Sequence, residues 1–325
     1  MQFLKFKSLL PAAALAVLCS CSTFDEEKIT LDGERISVLD GETALQPDYA
    51  PGQVKIVLPA PYTNTAWSQN GGNAAHMMGH LSSDSKLKEL WESGFGEGSS
   101  KRDFLIAAPV SAHKAVFTID ADGIVNAFRL DDGRKIWKRR LKPLIKDDIS
   151  TSLKGAGLAV FDKKVYATTG FGAVFALDMV TGKKLWRYDT ELPIRIAPTA
   201  ERGVVFIQTI DNKLIALNGV DGSVLWDYKS PSEETTLVGG ASPAYSPQQD
   251  TIVAAFSNGE LRAFKASTGS PLWSDILVSR KRTNSPANIN AIKANPVIDG
   301  STVYAVGNNN ILVAIDLRSG ARIWE

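Results

Sequence analysis

Few residues in this chain have types and spacing suited to chemistry. Cys19 and Cys21 are the only cysteines, both near the N-terminus. The rest of the chain therefore offers no disulfide, no thiolate nucleophile and no cysteine metal ligand. There are three histidines. His76 and His80 are four residues apart, a spacing that suits a metal on a helix. They lie in WSQNGGNAAHMMGHL (67–81), where glycines argue against a helix, so ordinary polar roles are expected. His113 has no partner visible in the sequence. Asp120, Asp122, Asp131 and Asp132 sit beside glycines and read as turn acids rather than a calcium loop. Composition adds no partner field: net charge is +1 over 325 residues, with no basic run interleaved with aromatics. Nucleic acid is not indicated.

The cysteines make sense as part of an export signal. MQFLKFK is cationic, and SLLPAAALAVL is apolar but too short to span a bilayer comfortably. Leu18-Cys19-Ser20-Cys21 follows and resembles a bacterial lipobox. That resemblance implies cleavage before Cys21 and its acylation, giving a membrane anchor. The alternative is a plain secretory peptide with incidental cysteines. Ser22, in place of Asp, implies the outer membrane. The expected organisation is a signal peptide over 1–20, a lipidated tether over 21–66 and a folded domain over 67–325. Within the tether QVKIVLP is β-like. The stretch from Trp67 to Leu81 is expected to be extended and to pack on the domain.

The elements behind these residues come from a repeat. Five segments align without gaps: GIVNAFRLDDGRKIW (123–137), GAVFALDMVTGKKLW (172–186), NKLIALNGVDGSVLW (212–226), GELRAFKASTGSPLW (259–273) and NILVAIDLRSGARIW (310–324). All share an alanine (127, 176, 216, 263, 314), a glycine six residues on (Gly133, Gly182, Gly222, Gly269, Gly320) and a tryptophan four further on (Trp137, Trp186, Trp226, Trp273, Trp324). The opening Gly or Asn suits a positive-φ turn. The second glycine turns the chain into a hairpin. The tryptophan can fill a gap between sheets while its N–H finds an acceptor. Two more strand candidates precede each segment, such as KAVFTID and KVYATTG.

Four strands recurring every 40–51 residues predict an all-β fold, a β-propeller of four-stranded antiparallel blades. WD40 and kelch signatures are absent. Trp91, in KLKELWES, reads as a lone outer strand of one further blade. With it, five visible repeats suggest a ring cut short at the C-terminus, eight-bladed when whole. The alternative is a five-bladed ring closed in another way.

Ala-x5-Gly-x3-Trp resembles the repeat of the quinoprotein-dehydrogenase-like propellers. With the lipobox, LDGERISVL (31–39) and WSQNGGNAAHMMGHL, the chain is similar to the BamB family of alphaproteobacterial type. The resemblance implies a non-enzymatic, periplasm-facing outer-membrane scaffold lipoprotein, without a cofactor or metal. Its implied partner is the barrel-forming subunit of the outer-membrane assembly machinery, bound through that subunit's periplasmic domains. Unfolded outer-membrane clients are further possible partners, through β-augmentation of a blade edge. The alternative branch is an enzyme, a dehydrogenase using pyrroloquinoline quinone. It would need cysteines, calcium-ligating acids and a catalytic Asp that do not stand out here. By the family's pattern, LPIRIAPT (192–199) implies partner contacts from Leu192, Ile194 and Arg195, the two aliphatics exposed beside the arginine. A second family patch maps to INAIKANPV (289–297), where Ala291 and Lys293 replace acids and put that patch in doubt.

Overall fold

The computed structural model describes residues 49–50, 52–84, 86–101, 104–144, 155–233, 239–278 and 290–325. Leu58–Glu325 forms one compact unit. The signal peptide, both cysteines and LDGERISVL lie outside the described residues. No helix among the described residues is long and apolar enough to cross a membrane.

The described residues form five four-stranded antiparallel sheets, each a meander in chain order. Blade 1 is β1 (Val110–Ala112), β2 (Ala115–Ile119), β3 (Ile124–Arg129) and β4 (Lys135–Arg140). Blade 2 is β5 (Gly155–Phe161), β6 (Lys164–Thr169), β7 (Ala173–Asp178) and β8 (Lys184–Asp189). Blade 3 is β9 (Thr199–Glu201), β10 (Val204–Gln208), β11 (Lys213–Asn218) and β12 (Val224–Lys229). Blade 4 is β13 (Ala244–Ser246), β14 (Thr251–Ala255), β15 (Glu260–Lys265) and β16 (Pro271–Ile276). Blade 5 is β17 (Val297–Asp299), β18 (Thr302–Val306), β19 (Leu312–Asp316) and β20 (Arg322–Trp324). The first strands of successive blades adjoin, β5 with β1, β9 with β5, β13 with β9 and β17 with β13. This is propeller architecture.

The repeat residues explain the blade. The opening Gly or Asn of every segment has positive φ, from 65° at Asn212 to 83° at Gly259. Each repeat alanine is fully buried and faces its own blade's tryptophan across the third and fourth strands, as Ala176 faces Trp186. A register shift follows that pair in all five blades. Such a bulge sharpens the local twist of the outer strand. On the other side of the alanine stands Phe117, Tyr166, Phe206, Val253 or Tyr304. The four aromatic ones lie 5.8–6.0 Å from the tryptophan ring of their blade.

The second glycine serves the neighbouring blade. A Cβ on Gly182 would stand 2.6 Å from the Trp137 ring, and one on Gly222 2.7 Å from Trp186. Gly269 receives Trp226 in the same way and Gly320 receives Trp273. Each indole N–H donates to the carbonyl three residues before its glycine: Trp137 to Met179 (2.9 Å), Trp186 to Gly219 (3.1 Å), Trp226 to Ala266 (2.8 Å) and Trp273 to Leu317 (2.7 Å). Tyr166 also donates to Gly219, at 3.2 Å. Burial, with a smaller contribution from the Asp162 charge, pushes its phenol up to about 12. Trp91 repeats the pattern on blade 1: it packs on Gly133 and donates to Leu130 at 2.7 Å. Its segment makes no strand ladder, which corrects the expected outer strand. QVKIVLP likewise forms no strand, and its Ile56, Val57 and Leu58 are exposed. Trp324 is 46% exposed.

Residues 67–76 form a strap across the first strands of all five blades. Trp67 and Ser111 exchange backbone hydrogen bonds of 2.8 and 2.7 Å on blade 1. Val160 of blade 2 donates to Ser68 O at 2.7 Å. The buried Gln69 side chain accepts from Ala200 N–H (2.9 Å) and donates to Ala200 O (3.2 Å) on blade 3. Tyr245 of blade 4 donates to Ala74 O, and Ile298 of blade 5 to Ala75 O. His76 closes the series through Nδ1 and Pro296 O at 2.7 Å. Between these contacts the chain folds back tightly, with Gly71 at φ 74° and Gly72 at φ 92°. The φ of Gly72 favours glycine there, and an added Cβ would also displace the Met78 thioether.

Candidate partner-docking site

The segment LPIRIAPT joins β8 to β9, and hydrogen bonds to three blades set its course. Thr190 starts it: its hydroxyl stands within hydrogen-bond distance of Gly172 O (2.8 Å) and Leu192 O (2.7 Å), sharing one proton between them. Ile194 N–H then donates to Thr169 O at 3.3 Å, and Ile194 bridges Thr209 of blade 3. Further on, Thr168 Oγ1 donates to Ile196 O at 2.6 Å and Ser242 Oγ to Ala197 O at 3.0 Å. The loop lies so close to β5 that a Cβ on Gly157 would stand 2.4 Å from Ala197.

This course separates the three expected contact residues. Leu192 is 38% exposed and borders a cavity of about 130 Å³ with Tyr188, Asp211 and Lys213. Arg195 is partly exposed. Ile194 is fully buried, in the core between blades 2 and 3. An exposed contact role therefore does not hold for Ile194. Its backbone needs the Thr169 acceptor, and its side chain fills the interblade gap, so the side chains on either side face outward. The surface available is Leu192 with Arg195.

Arg195 gains a neighbour that the sequence did not link to it. Lys293, exposed on the stretch before β17, lines the same two adjoining cavities, one of about 50 Å³ and one of about 240 Å³. Ala291 and Ile292 beside it are buried. The smaller cavity also touches Gln208 and Ser257, whose Oε1 and Oγ are buried without a hydrogen-bond partner. Among the described residues no carboxylate lines either cavity. Sequence reasoning missed Gln208 and Ser257, because nothing local marks the last residue of a second strand, or the turn just beyond one, as a cavity wall.

The histidines do not assemble a site. His76 is buried at φ 58°, not on a helix, and burial lowers its pKa, opposed in part by its bond to Pro296. His80 Nδ1 meets Pro59 O at 2.7 Å. The buried Asp120 carboxylate accepts backbone N–H groups from Asp122 (3.0 Å) and Ile124 (2.7 Å), as a turn acid does. Among the described residues no three His, Cys, Asp or Glu come together as a metal site. These residues do not supply the donor set that a calcium-bound quinone needs.

A sequence model described as "Outer membrane protein assembly factor BamB" matches residues 121–325. The chain belongs to the BamB family. Relatives carrying that description include a Vibrio cholerae protein, 31% identical over 73% of this chain and 60% of its own length. A Yersinia pestis protein is 27% identical over 73% of this chain and 60% of its own. The chain spans about 60% of the length of such relatives. Among solved structures, BamB from Moraxella catarrhalis matches with a TM-score of 0.57 at 18% identity, covering 67% of this chain and 63% of its own. A quinohemoprotein alcohol dehydrogenase from Comamonas testosteroni matches with 0.59 at 17%, covering 80% and 48%. At these identities the two likenesses concern the fold alone.

Proposed function

We propose that the protein is a docking scaffold in outer-membrane protein assembly, acting without catalysis. In this reading Cys21 carries the lipid anchor at the outer membrane, and the blades face the periplasm. The surface at Leu192 and Arg195 meets the periplasmic domains of the barrel-forming subunit. The observation that carries the proposal is the family match over residues 121–325. The loop geometry supports it: a half-exposed aliphatic, and an arginine with no ion-pair partner among the described residues, stand on a backbone pinned to three blades. A rigid loop loses little entropy on binding. Affinity capture from detergent-solubilised membranes tests the reading. The protein should recover the assembly machinery, and the folded Leu192→Ala/Arg195→Ala variant should recover much less. Equal recovery would refute the assigned surface. Calcium- and quinone-dependent oxidation of alcohols or sugars would instead favour an enzyme.

A further inference from the structure

We infer that the paired cavities beside Arg195 receive the carboxyl terminus of a polypeptide whose last side chain is apolar. The inference goes beyond the docking reading above and shares only Arg195 with it. Three observations converge on this ligand. Arg195 and Lys293 come from loops of different blades and line both cavities. Among the described residues neither has an ion-pair or hydrogen-bond partner, and no acid lines the walls. Two cations with idle donors call for an oxyanion that accepts from both.

The second observation is an acceptor that lacks a donor. Gln208 is 8% exposed, and its Nε2 donates to Ala255 O at 3.1 Å. That bond fixes the amide and leaves Oε1 buried with no partner. A buried acceptor of this kind costs stability until an N–H reaches it. Ser257 Oγ, also without a partner, lines the same wall.

The third is the shape and lining of the larger cavity. Ile106, Ala156, Leu158, Ile196 and Ala197 give it apolar walls. An apolar cavity of about 150 Å³ takes a benzene ring. The 240 Å³ here takes a leucine or phenylalanine side chain.

The last residue of a polypeptide presents all three groups from one Cα: a carboxylate, an amide N–H and a side chain. An inorganic anion lacks the N–H and the apolar group. A fatty acid lacks the N–H. An internal aspartate has no apolar group on the carbon that carries its carboxylate.

The test is fluorescence anisotropy with the full chain and a fluorescein-labelled pentapeptide, Gly-Ser-Gly-Ser-Phe. The free acid should bind. Its C-terminal amide should bind about tenfold or more weakly, the size of one charge-assisted contact, and a version ending in serine should also lose about tenfold, through the missing apolar burial. Lys293→Glu, at an exposed position, should cause a similar loss. Leu192→Ala lies outside both cavities and should leave peptide affinity unchanged while lowering capture of the assembly machinery. Equal affinity for acid and amide, or full affinity in Lys293→Glu, would overturn the inference and leave the docking reading standing. Unchanged capture in Leu192→Ala, with peptide binding lost in Lys293→Glu, would sink the docking surface and leave the carboxylate site standing.

Discussion

Replacing Gly182 with alanine isolates the contact that joins one blade to the next. Gly182 sits at φ 65°, and its added Cβ would come within 2.6 Å of the Trp137 ring. Gly203 is the internal control, because it sits at φ 78° with nothing within 4 Å of a built Cβ. Both substitutions carry the left-handed backbone cost, about 1 kcal/mol. Only Gly182→Ala also displaces the indole. That loses the Trp137 N–H bond to Met179 O, about 1 kcal/mol. It also disturbs the Phe117–Trp137 ring contact at 5.9 Å, about another 1 kcal/mol. The expected totals are about 3 kcal/mol for Gly182→Ala and about 1 kcal/mol for Gly203→Ala. In a chain of this size the first corresponds to a drop in Tm of about 6 °C. Thermal unfolding followed by near-UV circular dichroism reads both, and Trp137→Phe in each background gives the coupling. If Gly182→Ala is no worse than Gly203→Ala, the indole seat does not hold the blades together.

Three further outcomes are expected. Gln69→Ala leaves the backbone N–H and C=O of Ala200 without the side chain that pairs both, and should cost about 2–3 kcal/mol; chemical denaturation that shows under 1 kcal/mol would count against the strap. Ile194→Ala should lose about 2–5 kcal/mol as a core deletion, whereas Leu192→Ala should stay within about 0.5 kcal/mol; parallel urea titrations compare them. His76 is held below its ordinary 6.5 by burial, so the unfolded chain binds more protons as the medium acidifies. Its contribution is full above pH 6.5 and is lost as pH falls below that value toward the folded pKa. The urea midpoint should therefore drop more steeply between neutral and mildly acid pH in the parent than in His76→Asn, and parallel profiles would refute this.

The blade was legible because its constraints are local and recur. A positive-φ Gly or Asn, an alternating strand and a Gly before an aliphatic-Trp pair each show within fifteen residues. The partner of that glycine was not legible, because the indole it seats belongs to the preceding blade. The repeat marks the alanine by position alone, and its place opposite the tryptophan beside a bulge emerges only from strand register. Ile194 was misplaced for a related reason. The family pattern implied outward-facing aliphatics on either side of Pro193, but the loop turns one of them into the gap between blades. Lys293 was noticed only as a departure from a family pattern, and its position beside Arg195 depends on two loops about a hundred residues apart. The strap had no periodicity to read, and its meaning lies entirely in what it touches.

That strap also sets an order of events. Its residues precede every blade that will receive them. Gln69 pairs with Ala200 across 131 residues, and His76 with Pro296 across 220. Blades can form from local hairpins, whereas from blade to blade the strap contacts close longer and longer loops. Closure of the most distant contact is thus expected late in folding, once the fifth blade is in place to receive it.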